Sequence, residues 1–91
     1  DVMARTMADV RRRSAETGHH WFSRKTMRFF KSRIESTLYK NGCFVTSEEP
    51  PYGARRYSVR RAMADGSIDT VGEFMAYRHV EDARAAARRA V

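Results

Sequence analysis

Lysine and arginine side chains, concentrated in two segments, are the residues of this chain with the clearest chemical potential. The 91 residues contain 18 Lys and Arg and 11 Asp and Glu, for a net charge of +7. Residues 1–33 hold nine basic and three acidic side chains, and residues 54–64 add four arginines with no acid. The segments 34–53 and 65–82 are net acidic, at −2 and −4, and residues 83–91 contribute +3. Clustered cations attract polyanions, so this pattern predicts a nucleic-acid partner.

Five of the cations, Arg33 among them, lie in an aromatic-rich stretch, HHWFSRKTMRFFKSR, at residues 19–33. We expect Arg24, Lys25, Arg28 and Lys31 to contact phosphates, with an exposed aromatic ring stacking on a base. The alternative is that the aromatic rings form the core and the cations are its solvated face. We assign most of the rings to the core, because a domain this small needs them there.

Arg56 and Arg60 belong to the second basic segment. They alternate with Tyr57 and Val59 in a strand-like pattern, which places the two arginines on the face opposite the two apolar residues. We therefore predict that both arginines are exposed and bind nucleic acid. The alternative is that they only keep the protein in solution.

Residues that could support catalysis or metal binding are few and scattered. His19 and His20 are adjacent, so their side chains point apart, and His79 and Cys43 are far along the chain. Cys43 is a lone cysteine with no signature of a catalytic nucleophile around it. The five glycines are isolated, which excludes a glycine-rich phosphate loop. We predict a protein without enzymatic activity, without a cofactor and without a metal site.

The N-terminal segment 1–18 has the pattern of an amphipathic helix, predicted over residues 2–16. Met3, Met7 and Val10 lie at i, i+4 and i+7 and form a narrow apolar stripe. A terminal helix is ordered only when such a stripe finds a surface, either on its own domain or on a partner. We propose these three residues as a protein interface, which would allow a homodimer through this helix.

Residues 19–91 are predicted to form a single α+β domain. A short helix over residues 24–31, with Ser23 as its N-cap, is followed by strands near 33–39, 43–47, 55–63 and 67–74. Asn41-Gly42 and Asp65-Gly66 are hairpin signals, and residues 80–91 form an alanine-rich helix. The predicted architecture has N-terminal helices, a four-stranded antiparallel meander and a C-terminal helix packed on the sheet.

No run approaches the ~18 consecutive apolar residues that a membrane-spanning helix needs. A single cysteine fits a reducing compartment. We therefore expect a cytoplasmic protein that does not enter a membrane.

Two resemblances add to these expectations. The strings TMRFFKSRI, FVTSE, RRYSVRR and IDTVGEF resemble a family of short bacteriophage and prophage proteins, which implies a viral origin and a bacterial host. The second half is similar to the sheet-plus-helix DNA-binding domains of plant ethylene-response factors and phage integrase arms. In those domains sheet arginines enter the major groove, which implies that role for Arg56 and Arg60. A tryptophan of that pattern is missing here, and the spacing between Phe74 and His79 is longer than the pattern has.

The expected function is that of a small, basic, phage-type protein that binds nucleic acid without catalysis. DNA is favoured over RNA, because Glu81-Asp82 stands where the double-stranded-RNA-binding fold has a lysine-rich helix start. The alternative is a phage-encoded interaction module that binds and redirects a host protein, using the methionine-lined helix or an exposed sheet edge.

Overall fold

The structure, a computed structural model, describes residues 4–91. Within that range, three helices and four strands follow one another in the expected order. They are α1 (Met7–Glu16), α2 (Arg24–Arg28), β1 (Arg33–Ile34), β2 (Cys43–Glu48), β3 (Arg56–Ala62), β4 (Ile68–Val71) and α3 (Val80–Arg89). The strands form one antiparallel sheet in the order β1-β2-β3-β4, which confirms the predicted α+β fold and its meander. None of the helices described here has the length and apolar character that crossing a bilayer requires.

The edge strands are shorter than alternation alone predicts. β1 ends early because residues 36–38 leave the pairing with β2, before the Tyr39 N–H donates to the Cys43 carbonyl at 2.9 Å. β4 stops at Val71 because Gly72, with a φ of +77°, turns the chain out of the ladder. Alternation of polar and apolar residues therefore located these two edge strands but not their ends.

A capping box starts α1 at Met7, later than the expected start near residue 2. The Thr6 hydroxyl accepts from the Asp9 N–H at 3.2 Å, and the Asp9 carboxylate accepts from the Thr6 N–H at 3.3 Å. The same carboxylate accepts from the Arg5 N–H at 3.1 Å. That last hydrogen bond is the main reason that the pKa of Asp9 lies below its usual value, with the nearby Arg12 guanidinium lowering it further.

The turn between β3 and β4 is formed by Asp65-Gly66, as predicted. The Asp65 carboxylate accepts from the Ser67 hydroxyl at 2.6 Å and from the Ser67 N–H at 3.0 Å, and these bonds lower the pKa of Asp65. Gly66 has a φ of +88°, and a Cβ there would lie 2.2 Å from the Thr17 Oγ1. The turn thus packs directly against the residue that ends α1.

The C-terminal helix α3 packs on one face of the sheet, as expected. Ala83 and Ala87, four residues apart on one helix face, are fully buried against Cys43, Val45 and Val59. These small side chains let the helix approach the strands closely. The packing places the start of α3 beside one end of the sheet, where the candidate site lies.

The opposite face of the sheet is covered by α1. Met7 is 8% exposed and Val10 is 2% exposed, and both pack with Phe44 of β2. They are therefore core residues of this chain and are not available as a protein interface, contrary to the expectation; Met3 lies outside the described residues. The second face of the sheet needs an apolar cover, and this stripe supplies it. The segments 1–18 and 19–91, predicted as a helix and a separate domain, therefore share one hydrophobic core through Met7 and Val10.

Candidate nucleic-acid interface

Arg60 was expected on an exposed sheet face, and this expectation is wrong. Alternation does place Arg56 and Arg60 opposite Tyr57 and Val59, but α1 and the segment after it cover the arginine face. Arg60 is only 9% exposed. It therefore cannot read a DNA groove in the way that the resemblance to sheet-reading domains implies.

Arg60 instead belongs to a buried polar network with Glu48, which is 1% exposed. The Glu48 carboxylate accepts from the Ser58 and Thr46 hydroxyls, each at 2.7 Å, and from the Arg60 Nη2 at 3.4 Å. The Arg60 Nε donates to the Thr46 Oγ1 at 3.1 Å, and its Nη1 donates to the Thr70 hydroxyl. Burial lowers the pKa of Arg60, and the neighbouring Glu48 carboxylate opposes that shift. These contacts give Arg60 a structural role.

Two aromatic rings flank the same guanidinium. The Arg60 Cζ lies 5.3 Å from the centroid of the Trp21 ring and 5.0 Å from that of Phe74. Both distances are within the range of cation–π contacts. Arg60 thus connects the ring that follows α1 to the ring that follows β4.

Arg56 is half-buried and lies at the margin of this covered face. Its Nε donates to the Met75 carbonyl at 3.1 Å, and its Nη2 donates to the Ala76 carbonyl at 3.3 Å. It therefore fastens the segment between β4 and α3 to the start of β3. The rest of its side chain borders a groove described below.

The four cations predicted around α2 are all exposed: Arg24, Lys25, Arg28 and Lys31. The predicted Ser23 cap is confirmed, since its hydroxyl accepts from the Thr26 N–H at 3.2 Å. Lys31 lies 4.0 Å from a Glu49 carboxylate oxygen, whereas Arg24, Lys25 and Arg28 form no ion pair within residues 4–91. The short helix thus presents three unpaired charges to solvent.

Phe29, directly after α2, is the aromatic residue that the assignment to the core misplaces. Its side chain is 78% exposed, while Trp21, Phe22 and Phe30 are half-buried. The Phe29 ring meets Phe30 edge to face, with centroids 4.7 Å apart, and Phe30 in turn meets Phe74 at 5.3 Å. A continuous row of three rings therefore runs from the end of α2 to the segment after β4.

A groove of about 650 Å³ is lined in part by Phe74. Its lining combines aromatic and basic side chains: Tyr52, Arg55, Arg56, Phe74, Arg78 and His79. Tyr52 is 93% exposed, and Arg78 and His79 are exposed at the start of α3. The groove contains the chemical groups that phosphates and bases bind, cations and flat rings.

The row of rings joins the groove to α2. Glu49 reinforces the connection, because its N–H donates to the Phe30 carbonyl at 2.7 Å. Its carboxylate lies 4.0 Å from the Lys31 Nζ and accepts from the Arg55 Nη2 at 3.4 Å. The two basic segments of the sequence therefore meet on one surface. We call it the basic aromatic surface, composed of Arg24, Lys25, Arg28, Phe29, Lys31, Tyr52, Arg55, Arg56, Phe74, Arg78 and His79.

Tyr52, Phe74, Arg78 and His79 were not expected in the site. The last three lie in the segment 65–82, whose net charge of −4 conceals one arginine next to a histidine. The local signal for this part of the site is the basic pair Arg78-His79 directly before the predicted C-terminal helix. Nothing local in the sequence shows that Phe74 and Phe30 are neighbours.

Within residues 4–91, no three His, Cys, Asp or Glu side chains come close enough together to hold a metal ion. Cys43 is fully buried in the apolar cluster beneath α3. It packs there against Val45, Val59, Ala83 and Ala87.

A comparison with protein families matches residues 6–88 to one family model, from the cap of α1 to the last turn of α3. The chain belongs to DUF7447, a family of unknown function. No curated protein and no solved structure matches the chain. All residues of the basic aromatic surface lie within the matched residues 6–88.

Proposed function

We propose that this DUF7447 protein binds nucleic acid without catalysis, through the basic aromatic surface. The observation that supports this most strongly is the joining of the exposed α2 cations to the arginine-lined groove through the contact between Phe30 and Phe74. Cations contact phosphates and raise the association rate, while exposed rings offer stacking surfaces.

Residues 1–33 contain a second cluster of cations, the triplet Arg11-Arg12-Arg13. These side chains make contacts within the protein. Arg11 lies over the Phe22 ring at 5.2 Å, Arg12 lies 3.1 Å from an Asp9 carboxylate oxygen, and Arg13 donates to the Ala64 carbonyl. By contrast, Arg24, Lys25 and Arg28 have no such partners in the part of the chain described. This difference favours α2 as the site of phosphate contacts.

The proposal includes the bacteriophage or prophage origin and the cytoplasm of a bacterial host, which rest on the resemblance of the sequence strings. The rival function, binding and redirecting a host protein, was based partly on the methionine-lined helix. It loses that support because Met7 and Val10 are buried in the chain's own core. A viral origin is compatible with either function.

The test is fluorescence anisotropy of labelled DNA and RNA over a series of salt concentrations. Binding should weaken steeply with salt, because each phosphate contact releases counterions. The variant Arg24→Ala/Lys25→Ala/Arg28→Ala should weaken binding at least ~10-fold and reduce the slope of log K against log salt by about 2 to 3, roughly 0.7–0.9 for each contact removed.

The matched control is Lys40→Ala/Arg88→Ala/Arg89→Ala, which removes the same charge from exposed positions. Arg88 and Arg89 end α3, whose ten residues rise about 15 Å from the groove. The control should leave both affinity and slope nearly unchanged. The absence of any binding at low salt, or an equal loss with both variants, would refute the proposed site.

A further inference from the structure

Aromatic exposure is concentrated on the basic aromatic surface. Among the described residues, the large apolar side chains with high exposure are Phe29, Tyr52, Met63, Phe74 and Val91. The three that are aromatic, Phe29, Tyr52 and Phe74, all lie on that surface. The remaining two lie elsewhere and have no flat ring.

Two of these rings are free enough to receive a stacking partner. Phe29 is 78% exposed and rests on Phe30, which limits its motion without covering most of it. Tyr52 is 93% exposed and follows Pro50-Pro51, whose fixed φ angles stiffen the loop. A ring held in place, as Phe29 is by Phe30, loses little conformational entropy when a flat group stacks on it. Base stacking of this kind is tolerant of sequence, because every base has a π-face.

On the basic aromatic surface, the elements that usually read a duplex are not available. The sheet face that carries Arg56 and Arg60 is covered by α1 and Trp21. The helix α2 has five residues and rises only about 7.5 Å, too short to follow a major groove. In a duplex the base faces are already stacked on one another, so Phe29 and Tyr52 would gain nothing from contact with its exterior.

We propose that the basic aromatic surface selects single-stranded nucleic acid over duplex, with Phe29 and Tyr52 stacking on unpaired bases. Arg24, Lys25 and Arg28 contact the phosphates on the α2 side, and Arg78 contacts them on the groove side. This inference rests on the proposed function and adds the form of the nucleic acid. It makes the rings, and not only the cations, determinants of binding.

The experiment compares four labelled 12-nucleotide probes at one salt concentration: oligo(dT), oligo(U), a DNA duplex and an abasic DNA strand. The abasic strand keeps the phosphates and lacks the bases. We expect the two base-containing single strands to bind at least ~10-fold more tightly than the duplex and the abasic strand, because only they offer unstacked bases to the rings.

Phe29→Ala and Tyr52→Ala should each weaken binding of oligo(dT) by roughly 5- to 150-fold, the range that removal of one base-stacking ring produces. Binding of the abasic strand should stay unchanged. Phe29→Leu keeps an apolar contact with Phe30 and should show most of the same loss, which separates stacking from folding. Met63→Ala, at an exposed apolar position elsewhere, is the matched control and should bind as the wild type does.

Equal affinity for duplex and single strands, with the ring variants unaffected and the α2 triple variant weakened, would overturn this inference and leave the proposed function intact. No binding of any probe at low salt would overturn both. Equal losses for oligo(dT) and the abasic strand in Phe29→Ala would also overturn the stacking role.

Discussion

Replacing Arg60 by alanine should destabilise the whole domain. The guanidinium is the one cation in contact with the Glu48 carboxylate among the described residues, and Glu48 is 1% exposed. Arg60→Ala leaves that carboxylate buried without its counter-charge, with only the Thr46 and Ser58 hydroxyls as donors. It also opens space between the Trp21 and Phe74 rings.

The expected loss in the free energy of unfolding is about 3–5 kcal/mol, the usual effect of breaking a buried ion pair on one side. A domain of this length has a total stability of roughly 5–14 kcal/mol. One kcal/mol corresponds to about 4–8 °C in Tm for such a domain, so Tm should fall by at least ~12 °C. Arg56→Ala removes two hydrogen bonds of a half-buried side chain to carbonyls and should lose only about 1–2 kcal/mol.

Urea denaturation followed by circular dichroism measures both variants. Glu48→Gln and the double variant Arg60→Ala/Glu48→Gln complete a double-mutant cycle. The double variant should be no less stable than Arg60→Ala, because no buried charge is left without a partner. If Arg60→Ala stays within about 1 kcal/mol of the wild type, or if the two single losses simply add, the network does not stabilise the fold as the structure indicates.

Three further predictions concern α1 and the turn that packs on it. Met7→Asp should unfold the domain or lower its stability by about 3 kcal/mol or more, because it buries a charge beside the sheet. Ala8→Asp, on the exposed side of α1, is the control and should be nearly neutral. A folded Met7→Asp protein with an altered oligomeric state would restore the interpretation of this helix as an interface. Gly66→Ala should lower the free energy of unfolding by about 1–3 kcal/mol, since the residue has a positive φ and the new Cβ would clash with Thr17. Adding Thr17→Gly to this variant should recover only the part due to the clash. Thermal melts measure both effects, and an unchanged Tm for Gly66→Ala would contradict the packing. Asp9→Asn should lower stability at pH 7. The pKa of Asp9 is depressed in the folded state, so its contribution is complete above the ordinary aspartate value of about 3.9 and is lost as the pH falls through the lower folded value, where the difference should vanish. Stability curves of both proteins against pH test this, and a difference that persists at low pH would mean that the carboxylate charge is not what stabilises the cap.

Local features of the sequence were sufficient for much of the fold. Ser23 precedes a helix that its hydroxyl caps, Asp65-Gly66 makes the turn that its side chain and left-handed φ favour, and Ala83 and Ala87 mark the buried face of α3. Each of these depends on residues within about four positions of one another. Arg24, Lys25 and Arg28 are exposed for a similar reason, because the free energy of removing an unpaired cation from water exceeds any gain available to a five-residue helix.

Which face of the sheet meets solvent was decided only in three dimensions. The alternation of Arg56 and Arg60 with Tyr57 and Val59 sorts the side chains into two sets, but both sets are covered, one by α3 and the other by α1. Arg60 tolerates burial because Glu48, twelve residues earlier, lies beside it across the strand pair. Similarly, Phe29 is exposed while Phe30 is half-buried, since only one of two adjacent rings can reach Phe74. A polar–apolar repeat of two or of 3.6 residues carries no information about contacts between residues this far apart in the sequence. Those contacts bring the two basic segments to one surface.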